Sequence, residues 1–123
     1  MILPDSAVWI DHLRAPDPVL IGLLNTRQVL GHPFVTGEIY LGSIAQRDRV
    51  LGRLRDLVQI RVATVQQVTT LIEGQQLFGA GIGYVDAHLL TSVRLTPGAS
   101  LWTRDKRLHA VAMRLNIAIL GNA

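Results

Sequence analysis

The sequence predicts an α/β domain with a central, mostly parallel sheet of four or five short strands flanked by helices. Two observations carry this. Short apolar runs, I-L-P, V-L, L-W-T and I-A-I-L, recur between longer stretches of helical periodicity. The stretches between these runs are long enough for helical crossovers, which parallel strands require. The 123 residues suffice for one domain with a real core, so residues 1–123 are read as a single unit.

Ile2-Leu3-Pro4 reads as the first strand, closed by a proline that has no N–H for a ladder. Ser6 is the expected N-cap of a short helix bearing Val8, Trp9, His12 and Leu13. Asp17-Pro18 marks the next cap and first helical position, with a helix running from Val19 to Arg27. Val29-Leu30 is a second strand and Gly31-His32-Pro33 a turn. A helix from Phe34 to Ala45 follows, with Thr36 as its cap and Glu38 leading a face of Leu41, Gly42 and Ala45. Arg47 to Leu57 is helical, with Val50, Leu51, Leu54 and Leu57 inward.

Val58 to Val62 is read as a strand, and Thr64 or Thr69 to Phe78 as a helix. Three glycines at 79, 81 and 83 then precede an apolar helix whose stripe, Leu89, Leu90 and Val93, is headed by Asp86. After the turn Thr96-Pro97-Gly98 come a strand at Ala99 to Thr103, a helix at Asp105 to Leu115, a last strand at Ile117 to Leu120 and a frayed end.

Composition excludes several classes. The absence of cysteine removes disulfides, thiolate metal sites and cysteine nucleophiles, and fits a reducing cytoplasm. No apolar run reaches the roughly 20 residues of a membrane span, and M-I-L-P-D lacks the basic region of a secretory leader. Walker and dinucleotide fingerprints are absent, and the four histidines have no metal-ligand spacing. A phosphoacceptor receiver domain is disfavoured because Lys106 directly follows Asp105. Twelve cations, eleven of them Arg, outnumber nine acids and give a net charge of +3. Arg suits phosphate because its planar fork donates two hydrogen bonds at once.

Four of the nine acids share one placement. Asp5 and Asp105 each follow a strand and open a helix; Asp86 and Glu38 stand at the start of helices after a loop or turn. In an open α/β sheet, sites form beyond the carboxyl ends of strands, where the strand order changes. A single first-turn acid is ordinary helix-dipole chemistry; four with inward spacing are a candidate site. Carboxylates drawn together repel unless a hard cation such as Mg²⁺ or Mn²⁺ compensates them, and such sites cleave phosphate esters with metal-activated water. Ser6 and Thr103 are hydroxyls placed to support this shell. Arg104, Lys106 and Arg107 flank Asp105 and are candidates to hold backbone phosphates of a polyanionic partner. His12 and His88 lie in the site-bearing helices and read equally as core or surface imidazoles.

These residues match a pattern. P-D-S-A-V-W-I-D-H-L resembles the opening of PIN-domain ribonucleases, especially the VapC toxins of bacterial toxin–antitoxin pairs. G-H-P-F-V-T-G-E-I-Y-L-G, G-I-G-Y-V-D-A-H-L-L and L-W-T-R-D-K-R-L are similar to that family's second, third and fourth acidic motifs, in order along the whole chain. The resemblance implies a PIN fold, Mg²⁺- or Mn²⁺-dependent endoribonuclease activity, a cognate antitoxin and a homodimer. It makes Asp5, Glu38, Asp86 and Asp105 the catalytic and metal residues. Two positions depart from the pattern: Pro4 replaces an aliphatic residue and Ala7 a second hydroxyl. Ala7 supports the alternative of a catalytically weak module that binds RNA or an antitoxin without cutting.

Overall fold

The computed structural model describes residues 1–119. β1 (Ile2–Pro4), α1 (Ser6–Arg14) and α2 (Pro18–Asn25) lead to β2 (Leu30–Gly31). Then come α3 (Pro33–Tyr40), α4 (Arg47–Asp56), β3 (Val58–Gln59), α5 (Val65–Gly74), α6 (Tyr84–Arg94), β4 (Ser100–Trp102) and α7 (Lys106–Arg114). β1 pairs with β4 and β2 with β3, all parallel. Single parallel bridges, Ile2 to Val29 and Leu101 to Ala118, join these ladders laterally. The strands thus run in the order β3, β2, β1, β4 and then Ala118, five parallel segments in all. Every connection between them passes through at least one helix, as parallel pairing requires.

The order contains one reversal. From β1 the chain steps outward to β2 and β3, then returns to the other side of β1 for β4. The crevice beyond the carboxyl ends of β1 and β4 is therefore the switch point of the sheet. The core runs under it: Leu3, Val8, Leu20, Leu89, Leu90, Leu101, Trp102 and Leu108 are buried on the two strands and the helices packed against them. Burial of each such side chain favours folding by about 1.5–3 kcal/mol before entropy is counted.

Several boundaries differ from the sequence reading. Asp5 caps α1 by accepting from the Val8 N–H at 3.2 Å, so Ser6 is the first helical residue and not the cap. α2 ends at Asn25. His32, not Thr36, caps α3, its Nδ1 accepting from the Phe34 N–H at 3.0 Å. α3 stops at Tyr40, before Gly42, and the expected inward face beyond Glu38 does not form: Leu41 is 90% exposed. The helix is shorter because its inward contacts come from Val35, Thr36 and Ile39. β3 has only two paired residues, both exposed at the sheet edge, and Ile60 turns inward. Thr64, not Thr69, begins α5, with a reciprocal cap to Gln67. The last strand is represented by the Ala118 bridge; Leu120 and the expected fraying of residues 121–123 lie outside the described residues.

His32 is fully buried, and Nε2 lies 3.3 Å from the Ser92 hydroxyl, which also accepts from the Ala63 N–H. Burial, then the neighbouring His88, lowers its pKa from 6.5 to about 4. Between those values the unfolded chain takes up a proton that the folded chain refuses, so stability falls as pH falls through this window. The full shift corresponds to at most about 3 kcal/mol. In urea titrations across pH, His32→Asn keeps a capping oxygen and loses this component of the acid sensitivity. An unchanged slope between pH 6.5 and 4 would refute the assignment.

Candidate active site

The parallel register aligns Pro4 with Trp102, so Asp5 and Thr103 leave the ends of adjacent strands side by side. The Asp5 N–H bonds the Trp102 carbonyl at 2.9 Å. The Thr103 hydroxyl donates to Asp5 Oδ2 and accepts from the Asp105 N–H at 3.1 Å. One hydroxyl thereby ties together two acids a hundred positions apart. Asp105 caps α7, with Oδ1 accepting from the Arg107 and Leu108 N–H groups at 2.9 and 3.0 Å. Its other oxygen makes no hydrogen bond within the described residues.

α6 contributes Asp86 from its first turn, where Oδ2 accepts from the Gly83 N–H at 3.2 Å. The stripe Leu89, Leu90 and Val93 is buried as its spacing predicts and anchors the helix. α3 packs on α1 and brings Glu38 near Ser6, whose hydroxyl favours the charged carboxylate. Of the four acids read as having inward spacing, only Asp5 is buried. Asp86 is half-buried, while Glu38 and Asp105 are exposed, so the site is an open crevice.

The carboxylates sense one another. Burial raises the pKa of Asp5, opposed by Thr103 and the Val8 N–H, and the Asp86 charge raises it further. Burial also raises Glu38, opposed by Ser6, with Asp86 and Asp5 adding to the rise. Asp86 is raised by burial and then by Asp105, against the Gly83 N–H. All four predicted acids thus belong to one field. No three carboxylates or imidazoles among the described residues close around a single point as a ready-made coordination shell. The donor set nonetheless suits a hard divalent cation: all oxygen, partly desolvated and mutually repelling.

The cations differ in their freedom. Arg104, expected to face RNA, is engaged by Asp11 at 2.6 Å and Asp17 at 2.7 Å, and its guanidinium lies over the Trp102 ring. It ties the β4–α7 junction to α1 and α2. Lys106 and Arg107 are exposed and form no ion pair among the described residues. Arg107 lies against Gly81, where an added Cβ would stand 2.8 Å from its Cδ. This contact was not legible in sequence. His88 is buried among Phe34 and Tyr84, with ring centroids 4.8 and 4.9 Å away, and its Nδ1 finds no hydrogen-bond partner among the described residues. His12 accepts from the Asp17 N–H at 2.9 Å, a structural role.

A parallel α/β sheet crossed by helices on this order of strands is a PIN-like fold, with the acids gathered over its switch point. Comparison with known proteins then places the chain more closely. It is 50% identical over 119 residues to "Ribonuclease VapC32" from Mycobacterium tuberculosis strains CDC 1551/Oshkosh and H37Rv, covering 97% of this chain and 96% of each relative. The chain belongs to the VapC ribonuclease family. No family model matches it, and no solved structure does.

Thr103→Val is expected to raise the Asp5 pKa further, because it deletes the hydrogen bond that most favours the charged form. Carboxyl NMR titration reads this directly, and an unmoved Asp5 would show that the hydroxyl does not set its charge.

Proposed function

We propose that this protein is a Mg²⁺- or Mn²⁺-dependent endoribonuclease, the toxin of a toxin–antitoxin pair, which hydrolyses RNA phosphodiester bonds. The observation that carries the reading is the set of four carboxylates at the switch point, three with pKa values raised by burial and by one another. Such an arrangement is unfavourable by itself and favourable toward a divalent cation. Asp5, Glu38, Asp86 and Asp105 would hold the ion. A bound ion supplies the charge that lowers the pKa of water and neutralises the phosphate as its bond breaks.

The chain's own residues do the rest. Thr103 holds Asp5 charged and in place, and Ser6 does the same for Glu38. Lys106 and Arg107, at the mouth of the crevice, draw in the RNA backbone and fix its register. Arg104 acts as a brace for the Asp105 strand end, so its contribution to phosphate binding is the smallest of the three.

The cognate antitoxin would insert an apolar helix between α1, α2 and α4. A groove of about 500 Å³ there is lined by Trp9, Leu13, Ile21, Leu24, Val50 and Leu54, with Leu13 and Ile21 exposed. A homodimer completes the family's pattern, and light scattering on the isolated protein tests it. No helix among the described residues is long and apolar enough to cross a membrane.

Asp86→Asn is expected to reduce RNA cleavage at least a hundredfold, the scale of losing one charge-stabilising contact. The metal-free variant should fold as well as the parent, since the change removes a desolvated, repelled charge. Mg²⁺ should raise the melting temperature of the parent at neutral pH, less so in acid where protons compete, and raise that of the variant little. Undiminished cleavage by folded Asp86→Asn would sink the mechanism. Ile21→Glu is expected to leave cleavage intact and escape neutralisation by the antitoxin; retained neutralisation would exclude the groove.

A further inference from the structure

The glycine loop before α6 is not accounted for by the four acids. Gly83 stands at the N-cap of α6 and donates its N–H to Asp86, but Gly79 and Gly81 do more than shorten the approach. Both adopt positive φ, +76° and +80°, a region where side chains other than glycine's are strained. The loop borders a cleft of about 260 Å³, together with Phe78, Ile82 and Tyr84. The chain has only six aromatic residues. The two most exposed, Phe78 at 64% and Tyr84 at 53%, both stand on this cleft. Tyr84 packs edge-on against His88, and its ring remains half exposed. Arg107 reaches the same loop from α7, its side chain lying on Gly81 with Nη1 2.9 Å from where a Cβ would be.

Two exposed rings, an apolar floor of Ile72, Leu77 and Ile82 beside the glycines, and a guanidinium with no ion pair among the described residues thus gather around the loop that leads to Asp86. Isolated aromatic exposure is commonplace. The combination with a cation beside the carboxylate crevice matches how single-stranded nucleic acid is held, by base stacking over a positively charged track. We propose that the Phe78–Tyr84 cleft is a nucleobase subsite, which stacks an unpaired base of the RNA next to the bond cut at Asp86, while Arg107 holds the intervening phosphate. The proposal rests on RNA being the substrate. Duplex RNA keeps its bases stacked and cannot enter, so the subsite selects unpaired segments, where RNA sequence is usually read.

Photocrosslinking tests this with the full chain in EDTA, where no cleavage is needed. The probe is a pool of short random-sequence single-stranded RNA carrying 4-thiouridine. Crosslinked nucleotide is expected on the peptide containing Phe78 and Tyr84. Phe78→Leu and Tyr84→Leu should each weaken binding roughly tenfold without changing its salt dependence, the mark of lost stacking. Arg107→Gln should instead reduce the salt slope by about 0.7, the mark of one lost phosphate contact. Crosslinks confined to other peptides, no binding by the parent, or leucine variants that bind normally would each overturn the subsite. So would leucine variants that turn a dimer into a monomer with crosslinking unchanged, since the rings then serve a second copy of the chain. Crosslinking at the loop by a protein that cuts no RNA with Mg²⁺ or Mn²⁺ keeps the subsite and removes the nuclease reading. Normal cleavage of a mapped substrate by both leucine variants does the reverse.

Discussion

The pairing of β1 with β4 is the constraint on which the rest depends. Three residue pairs in parallel register carry the first strand to a partner almost the whole chain away. Without it Asp5 and Thr103 have no reason to meet, and the hydroxyl bridge between Asp5 and Asp105 has no frame. The strands are short, so the ladder is not stable alone. It is held by apolar side chains on both ends of the chain, Leu3 and Val8 against Leu101, Trp102 and Leu108, all buried. Because a parallel pair demands long connections, most of the sequence is obliged to lie between the two halves of the site.

The site is a managed conflict. Removing carboxylates from water and placing them near each other are both unfavourable. The fold offsets part of this with specific donors: Thr103 and the Val8 N–H for Asp5, Ser6 for Glu38, the Gly83 N–H for Asp86. Each donor satisfies some lone pairs and leaves others facing the crevice. The pKa values remain raised, so the compensation is incomplete by construction. Under the proposed function, a bound cation would relieve this remaining unfavourable energy. His32, at the cap of α3, is a second buried titratable group, but it is satisfied by Phe34 and Ser92 and serves the scaffold.

The cationic residues divide by what they meet. Arg104 is neutralised by Asp11 and Asp17 and acts as a cross-brace between the late strand and the early helices. Arg107, two helical positions past Asp105, lies across the glycine loop that leads to Asp86. The two arginines of one acidic motif thus have different work, one in holding the frame and one at the surface where a polyanion would approach. Ala7 and Pro4, the departures from the VapC pattern, fit without strain: Pro4 ends β1 where no further ladder donor is required, and Ala7 lies exposed on α1.

Local chemistry was legible in the sequence wherever a residue's neighbours in the chain decide its environment. The alternation of strands and helices, the Asp17-Pro18 cap, the Asp105 cap, the buried stripe of α6 and the placement of Asp5, Asp86 and Asp105 at helix starts all follow from short-range spacing, whereas Glu38, expected at the start of its helix, lies in the last turn of α3 because that helix begins at Pro33 and ends at Tyr40. The sequence also determined the family, because the acidic motifs occur in order along the chain. Only tertiary structure decided which helix faces found a partner. α3 stops at Tyr40 and exposes Leu41 because the packing it needs is already supplied by Val35, Thr36 and Ile39. It decided that Asp5 is enclosed while Glu38 and Asp105 stay open, since enclosure depends on how many elements converge at a point. It also decided that Arg104 is spent on two distant acids and that Arg107 rests on Gly81. Charges and side-chain reach are visible in a sequence, but the partners that absorb them come from other parts of the chain, and only folding brings those within a few ångströms.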